Sequence, residues 1–337
     1  MNSAHRHLQR ANIAIWATIG IVALAVVAAA LSGLVDIAWR SFLAQAIVAA
    51  LLTAGGHYYH TARDEQRLGA ILIATAQIIC FAAVGAPLSY IAAMAGFPLQ
   101  DAMFDAWDRA LNFDWLQMMQ FVAAHPTLQL VLHFAYASFA LQSVTTIMAL
   151  GIAGQLDRLA AFVAAFIATT LVTIAVSAVY PSVGPWIFLD IQPAAANGFL
   201  PTSSTSWPVF LGLRDGTVHT VTGLNAEGII TFPSLHAALG VLFPLALWRT
   251  PVVRWFVFVL NGLMLIATPA YGSHYVVDVI AGVIIAMACW AIVTRLVSPN
   301  ADAKRKHLAG IEHSPSIVPE ARAEPDMVRL SREREQA

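Results

Sequence analysis

LGAILIATAQIICFAAVGAPLSYIAAMA, residues 68–95, runs for 28 positions without one Asp, Glu, Lys or Arg. The hydrocarbon core of a bilayer needs about 20 apolar residues per helix, so this stretch reads as a membrane span. Further apolar runs lie at about 12–35, 41–57, 127–152, 158–180, 234–249, 253–271 and 274–296, which brings the expected number to eight. The second is interrupted by Gly55 and Gly56. The first is too long and wrongly flanked for a cleaved signal peptide. Of 337 residues 59% are hydrophobic, and the charges number only 18 basic and 19 acidic. Residues 297–337 hold 14 of these charges. What precedes them lacks the polar surface to cover a water-soluble core. A net charge of −1 excludes the basic face on which nucleic-acid binding rests. Cys80 and Cys289 both sit inside apolar runs, which excludes a disulfide framework. The expected fold class is all-α, a polytopic transmembrane helical bundle.

Basic residues near span ends set orientation. Arg6 and Arg10, Arg63 and Arg67, Arg158, Arg249 and Arg254, and Lys304 to Lys306 all fall on one side if there are eight spans. That side is read as the cytoplasm, with both termini there. The opposite face carries Arg40, Arg109 and Arg214 among eight acidic residues, Asp101, Asp105 and Asp108 included. Two segments on that face are long. Residues 96–126 have an amphipathic pattern, and Trp107 and Trp115 suit a helix lying at the interface. Residues 181–233, rich in Pro, Gly, Ser and Thr, read as an irregular outer loop. The tail is polar and balanced in charge, as in disordered segments. The expected organisation is N-terminal helices over 1–67, a membrane domain over 68–296, and a disordered cytoplasmic tail over 297–337.

Most of the eleven histidines lie in tails, loops or span ends. Two differ. Thr231-Phe232-Pro233-Ser234-Leu235-His236 opens the sixth run, and Tyr271-Gly272-Ser273-His274-Tyr275-Val276-Val277-Asp278 opens the eighth. Both runs start from the outer face, so His236 and His274 share one side and a similar depth. Asp278 follows His274 by four residues, on the same helical face. A carboxylate one turn inside an apolar span is unfavourable unless paired, and such groups are functional by default. The bland alternative for an H-x-x-x-D pair is a buried polar contact that fixes helix packing. Phosphoryl chemistry fits the arrangement. The helix start marked by Pro233 and Ser234 leaves free backbone N–H groups in its first turn for a phosphate. An imidazole backed by a carboxylate is a nucleophile, and a second imidazole can protonate the leaving oxygen.

PSLH (233–236) followed by GSHYVVD (272–278) resembles the second and third motifs of the type 2 phosphatidic acid phosphatase superfamily. The runs FPSLHA and H-Y-x-x-D-x-x-x-G, His274 to Gly282, resemble its inositol phosphorylceramide synthase, or inositolphosphotransferase-like, branch and bacterial relatives of it. The resemblance spans about 68–296. It implies a six-helix core and a lipid enzyme that transfers phosphoryl groups without metal or cofactor. His274 would attack phosphorus, Asp278 orient it, and His236 protonate the departing alkoxide. The partners implied are a lipid phosphate substrate and the membrane, the latter a bacterial inner membrane with the site facing the periplasm.

The superfamily's first motif, a Lys and then Arg-Pro, is absent: no lysine precedes Lys304. Phosphate-binding groups must therefore come from elsewhere. Arg214, the one basic residue of the 181–233 loop apart from histidine, is the expected clamp, with His219 and Ser234 beside it. Tyr136 and Gln142 are expected to line the pocket, and Glu227 takes no role. Two other readings stand against a lipid phosphatase or phosphotransferase. One is a proton-coupled transporter with a His133, His274 and Asp278 relay; the other is a catalytically silent lipid-binding relative.

Overall fold

Backbone amides with no water to bond must find partners within their own segment, and the apolar runs all become helices. The computed structural model describes residues 3–196, 198–223 and 227–297; the expected disordered tail lies outside them, apart from Val297. In chain order the helices are α1 (Ser3–Leu31), α2 (Leu43–Thr61), α3 (Gln66–Ala93), α4 (Asp101–Ala110), α5 (Trp115–Ala123), α6 (Pro126–Ala137) and α7 (Phe139–Ile152). They continue as α8 (Leu156–Val179), α9 (Pro185–Phe188), α10 (Ser206–Asp215), α11 (Leu235–Leu247), α12 (Arg254–Gly272) and α13 (Val276–Val297). Among the described residues sheet is confined to a two-residue parallel bridge, β1 (Asp36–Ile37) with β2 (Thr220–Val221).

Among the described residues six helices are long and apolar enough to cross a membrane: α1, α2 with its leading turn, α3, α8, α12 and α13. The expected fourth span is instead a pair, α6 and α7, bent by 52°. At the break, Ser138 Oγ donates to the Ala135 carbonyl at 2.7 Å, a back-bond that bends helices. The expected sixth span, α11, is only 13 residues, about 20 Å at 1.5 Å per residue. The count of eight full-length spans is thus corrected to six, or seven with the bent pair taken as one. Before α11 the chain runs as non-helical backbone, tolerated at such a place because protein covers it; Ile229 there is buried against Tyr90 and Phe210.

At the centre α8 packs on α3, α11 and α13. Its buried residues include the small side chains Ala160, Ala161 and Ala165 beside Phe162, which let neighbouring backbones approach. The turns between α2 and α3, α7 and α8, and α11 and α12 meet at one end. Arg67 donates to the Ile152 carbonyl at 3.2 Å. Arg158 donates to the carbonyls of Leu245 and Ala246, capping the last turn of α11 with a cation. At the other end the 181–233 segment is more ordered than its composition predicts: it holds α9, α10 and β2.

Candidate active site

Asp278 lies in the first turn of α13, fully buried, and His274 just precedes that helix, also buried. Asp278 Oδ2 faces His274 Nδ1 at 3.3 Å and accepts from the Tyr275 amide at 2.9 Å. One carboxylate oxygen thus ties the ring to the helix start. Asp278 Oδ1 is buried without a partner among the described residues. The carbonyl of Asp278 accepts from the Ser234 amide at 3.0 Å, which joins the two motif segments backbone to backbone. They touch because residue 282 is glycine: a Cβ there would overlap the Ser234 carbonyl oxygen and lie 3.2 Å from the Ala238 nitrogen.

The bend between α6 and α7 serves the second histidine. Tyr136 before the break stacks on His236, with centroids 4.2 Å apart and planes 14° off parallel, and its hydroxyl is 3.4 Å from His236 Nδ1. Phe139 after the break meets the same ring edge-on at 4.9 Å. His274 is placed by the turn out of α12. Ser273 adopts a left-handed conformation, φ 52°, and its Oγ accepts from the Trp186 amide at 3.0 Å. Gly272 leaves room for the edge of the His274 ring: a Cβ there would overlap His274 Cδ2 and come within 2.9 Å of both His274 Nε2 and the Tyr136 hydroxyl.

A third component was illegible as such in the sequence. Helix α4 buries Asp101, Phe104 and Asp108 on one face. Asp108 accepts from the amides of Val276 at 2.8 Å and Val277 at 3.1 Å, one on each carboxylate oxygen. These amides are the first two of α13 and have no intrahelical acceptor. Asp101 accepts from Ser182 Oγ at 2.7 Å, from the amides of Val183 and Gly184, and from the Tyr275 hydroxyl at 3.2 Å. Burial pushes both carboxyls above the usual carboxylate range, against the pull of these hydrogen bonds. Between them Phe104 stacks on Phe232 at 4.3 Å. The amphipathic reading of this region is corrected in part. Trp107 does face outward, but Trp115 is buried, donating to the Pro269 carbonyl at 3.3 Å.

His236 and His274 both line a cavity of about 560 Å³, as do Tyr136, Thr231 and Glu227. Its apolar depth follows α3, α8 and α11 past Phe81, Phe166 and Leu239. The expected phosphate ligands are not brought to it. Arg214 donates to the Phe97 carbonyl at 2.6 Å and lies over the outer side of Phe210. His219 lends its carbonyl to Asp36 in the β1–β2 bridge and sits against Gly216. Ser234 is used as the N-cap of α11, its Oγ accepting from the Ala237 amide at 3.3 Å. Gln142 leaves the lining altogether: it accepts from Asn261 Nδ2 at 2.7 Å and donates to Ser138 Oγ, fixing α7 against α12. Elimination by charge had singled out Arg214, and its own carbonyl partner could not be foreseen. Among the described residues no group of three or more His, Cys, Asp or Glu is disposed to hold a metal ion.

Two imidazoles, one carboxylate-backed, thus line one largely apolar cavity in a membrane helical bundle, an arrangement that fits a phosphatase- or phosphotransferase-type lipid enzyme. The PAP2 superfamily model matches residues 103–292, more than half of the chain, and the protein belongs to that superfamily. No curated protein and no solved structure was found to match it.

Proposed function

We propose that the protein is an integral-membrane lipid phosphatase or phosphotransferase that works through a phosphohistidine on His274. The observation that carries this reading is the 3.3 Å contact between His274 Nδ1 and a fully buried Asp278, at a cavity that His236 shares. A carboxylate on Nδ1 fixes the tautomer that leaves the Nε2 lone pair for attack. His274 Nε2 bonds to phosphorus as the bond from phosphorus to the lipid alkoxide breaks, and His236 gives that oxygen a proton. Water or an acceptor hydroxyl then displaces His274 and returns a proton to His236. The amides of Leu235 and His236, at the start of α11, are donors for the phosphate oxygens.

The arginine-bearing turns at the far end of the bundle support a cytoplasmic placement of that end, which puts the site on the outer, periplasmic face of a bacterial inner membrane. The spelling of the two motifs, similar to the inositol phosphorylceramide synthase branch, supports transfer to an acceptor over hydrolysis. A proton relay through His133 is disfavoured by position: that ring is exposed on the outside of α6, 5.4 Å from Tyr271.

The test is trapping. Protein quenched in alkali during turnover of a labelled phospholipid should carry label on the peptide containing His274. His274→Ala should carry none. Lipid turnover that survives in His274→Ala removes the proposed nucleophile.

A further inference from the structure

Every phosphoryl-transfer site must answer the negative charge of its substrate, and this one has an unusual stock of charge with which to do so. Among the described residues lining the cavity there is no Lys or Arg, and the charged side chain besides the histidines is an acid, Glu227. Of the arginines read on that face, Arg109 pairs with Asp105 at 2.8 Å on the outside of α4, Arg214 is held by the Phe97 carbonyl, and Arg40, in the turn before α2, does not line the cavity.

Glu227 is positioned, not loose. Its amide donates to the Tyr90 hydroxyl at 2.8 Å, at the end of α3 away from the arginine turns. Its Oε2 accepts from Thr205 Oγ1 at 3.0 Å. Thr205 stands two residues before Trp207, which lines the same cavity and whose indole N–H is buried without a partner among the described residues. A carboxylate and an indole lining one cavity can together receive an ammonium group, through charge and through the ring face. The same carboxylate offers a phosphate dianion repulsion instead.

We infer that the lipid this site takes is a phosphodiester whose head group carries its own positive charge, with the ammonium held by Glu227 and Trp207. This rests on the reading of His274 and His236 given above. The cation neutralises the single phosphate charge within the substrate, so the cavity needs no arginine. The alkyl chains follow the apolar walls toward Phe81 and Phe166, and the phosphorus lies between mouth and depth, where the histidines are. His274 Nε2 forms its bond to phosphorus as the bond to the diacylglycerol oxygen breaks, with the proton from His236 going to that oxygen. The head-group phosphate remains on His274 until a hydroxyl or water takes it. The donor then differs from a lipid with a neutral polyol head group, whose phosphate charge is not balanced within the molecule.

The experiment uses the full-length protein in lipid nanodiscs. Phosphatidylethanolamine, phosphatidylcholine, phosphatidylinositol, phosphatidylglycerol and phosphatidic acid with identical acyl chains are supplied one at a time. Diacylglycerol release is followed, with the mass of any adduct on His274 after an alkaline quench. The two ammonium lipids should give the highest kcat/KM and an adduct with the mass of the intact head-group phosphate. Glu227→Gln, which keeps an oxygen for Thr205, should lower kcat/KM for them by about tenfold and change that for phosphatidic acid far less. Glu227→Lys should reverse the preference. Higher kcat/KM for phosphatidic acid or phosphatidylinositol overturns the inference while leaving the histidine mechanism intact. So does an equal loss on all five lipids in Glu227→Gln. An absence of any His274 adduct with every lipid overturns the mechanism, and this inference with it.

Discussion

Replacing Asp108 by Asn isolates the contribution of α4 to the site. In the native protein each carboxylate oxygen accepts one amide, Val276 N at 2.8 Å and Val277 N at 3.1 Å. Asparagine keeps one acceptor and turns an NH2 group toward the second amide. One charge-assisted bond is therefore lost and the other becomes neutral. A hydrogen bond to a charged group contributes about 1.5–3 kcal/mol, and a buried amide left unpaired costs about 1–3 kcal/mol. Part of this is offset, because burial already disfavours the charged form of Asp108; the net loss is then about 2 kcal/mol. It falls on the turn that carries Asp278. If half of it reaches the transition state, kcat drops about fivefold, and the midpoint of thermal unfolding falls by about 5 °C. The same helix supplies the control. Asp105 pairs with Arg109 at 2.8 Å on the surface, and an exposed i,i+4 pair contributes about 0.3–0.5 kcal/mol. Asp105→Asn removes the same charge, yet should leave kcat within about twofold and the midpoint almost unmoved. Both variants would be measured in one detergent by intrinsic fluorescence melting and by lipid turnover. Equal behaviour of the two in both assays would refute the claim that Asp108 supports the start of α13.

Three further outcomes follow from the same geometry. Gly272→Ala inserts a methyl group against His274 and Tyr136; overpacking costs about 1–3 kcal/mol, and here it displaces the proposed nucleophile, so turnover and His274 labelling should fall together in a protein that still folds. Gly282→Ala meets backbone instead, the Ser234 carbonyl, and should lower the melting midpoint more than Gly272→Ala does. Gln142→Leu removes a partner of Asn261, which keeps its bond to the Val257 carbonyl at 2.7 Å; a stability loss of about 1–2 kcal/mol with unchanged KM would show packing, and a raised KM would return Gln142 to the site. The fourth is a pH dependence. Asp101 and Asp108 have folded pKa values above the usual 3.8, so their ionised forms oppose folding above the folded pKa, and that opposition is relieved as pH falls below the unfolded value. Their contribution to stability thus rises on acidification while turnover falls as the caps take up protons. A parallel decline of both quantities, identical in Asp108→Asn, would count against this.

What the sequence made legible was whatever lay within one helix turn or one motif. His274 and Asp278 are four residues apart, close enough in sequence to be read as a pair, although His274 lies just before α13 and reaches Asp278 from the turn after α12. His236 joins them because both segments open spans from the same side. The lengths of spans were less accessible, because hydropathy does not see a break: the 127–152 run is apolar throughout, yet Ser138 bends it. Arg214 was selected by its sign, but sign says nothing of the Phe97 carbonyl 117 residues away that holds it. Gln142 shows the same gap, since its partner Asn261 lies 119 residues further along.

Helix α4 exposes the deeper reason. Asp101, Phe104 and Asp108 follow a spacing that puts them on one face, and hydrophobicity alone would turn that face to water, with Trp107 and Leu111 inward. The structure does the reverse: Trp107 and Leu111 are exposed. The deciding quantity is unpaired backbone donors. The start of α13 presents the amides of Val276 and Val277, and the turn before α9 presents those of Val183 and Gly184. Each would cost about 1–3 kcal/mol if buried without an acceptor, and no water reaches them from a lipid phase. Two carboxylates meet four of these donors and the Tyr275 hydroxyl besides. A tryptophan turned outward in a membrane protein meets lipid or the interface, where an indole is well placed, so the exchange carries little penalty. In such a chain an acidic residue near a span end is to be read against the helix starts it could reach before it is assigned to solvent, and here that reading leads from α4 to the histidine it supports.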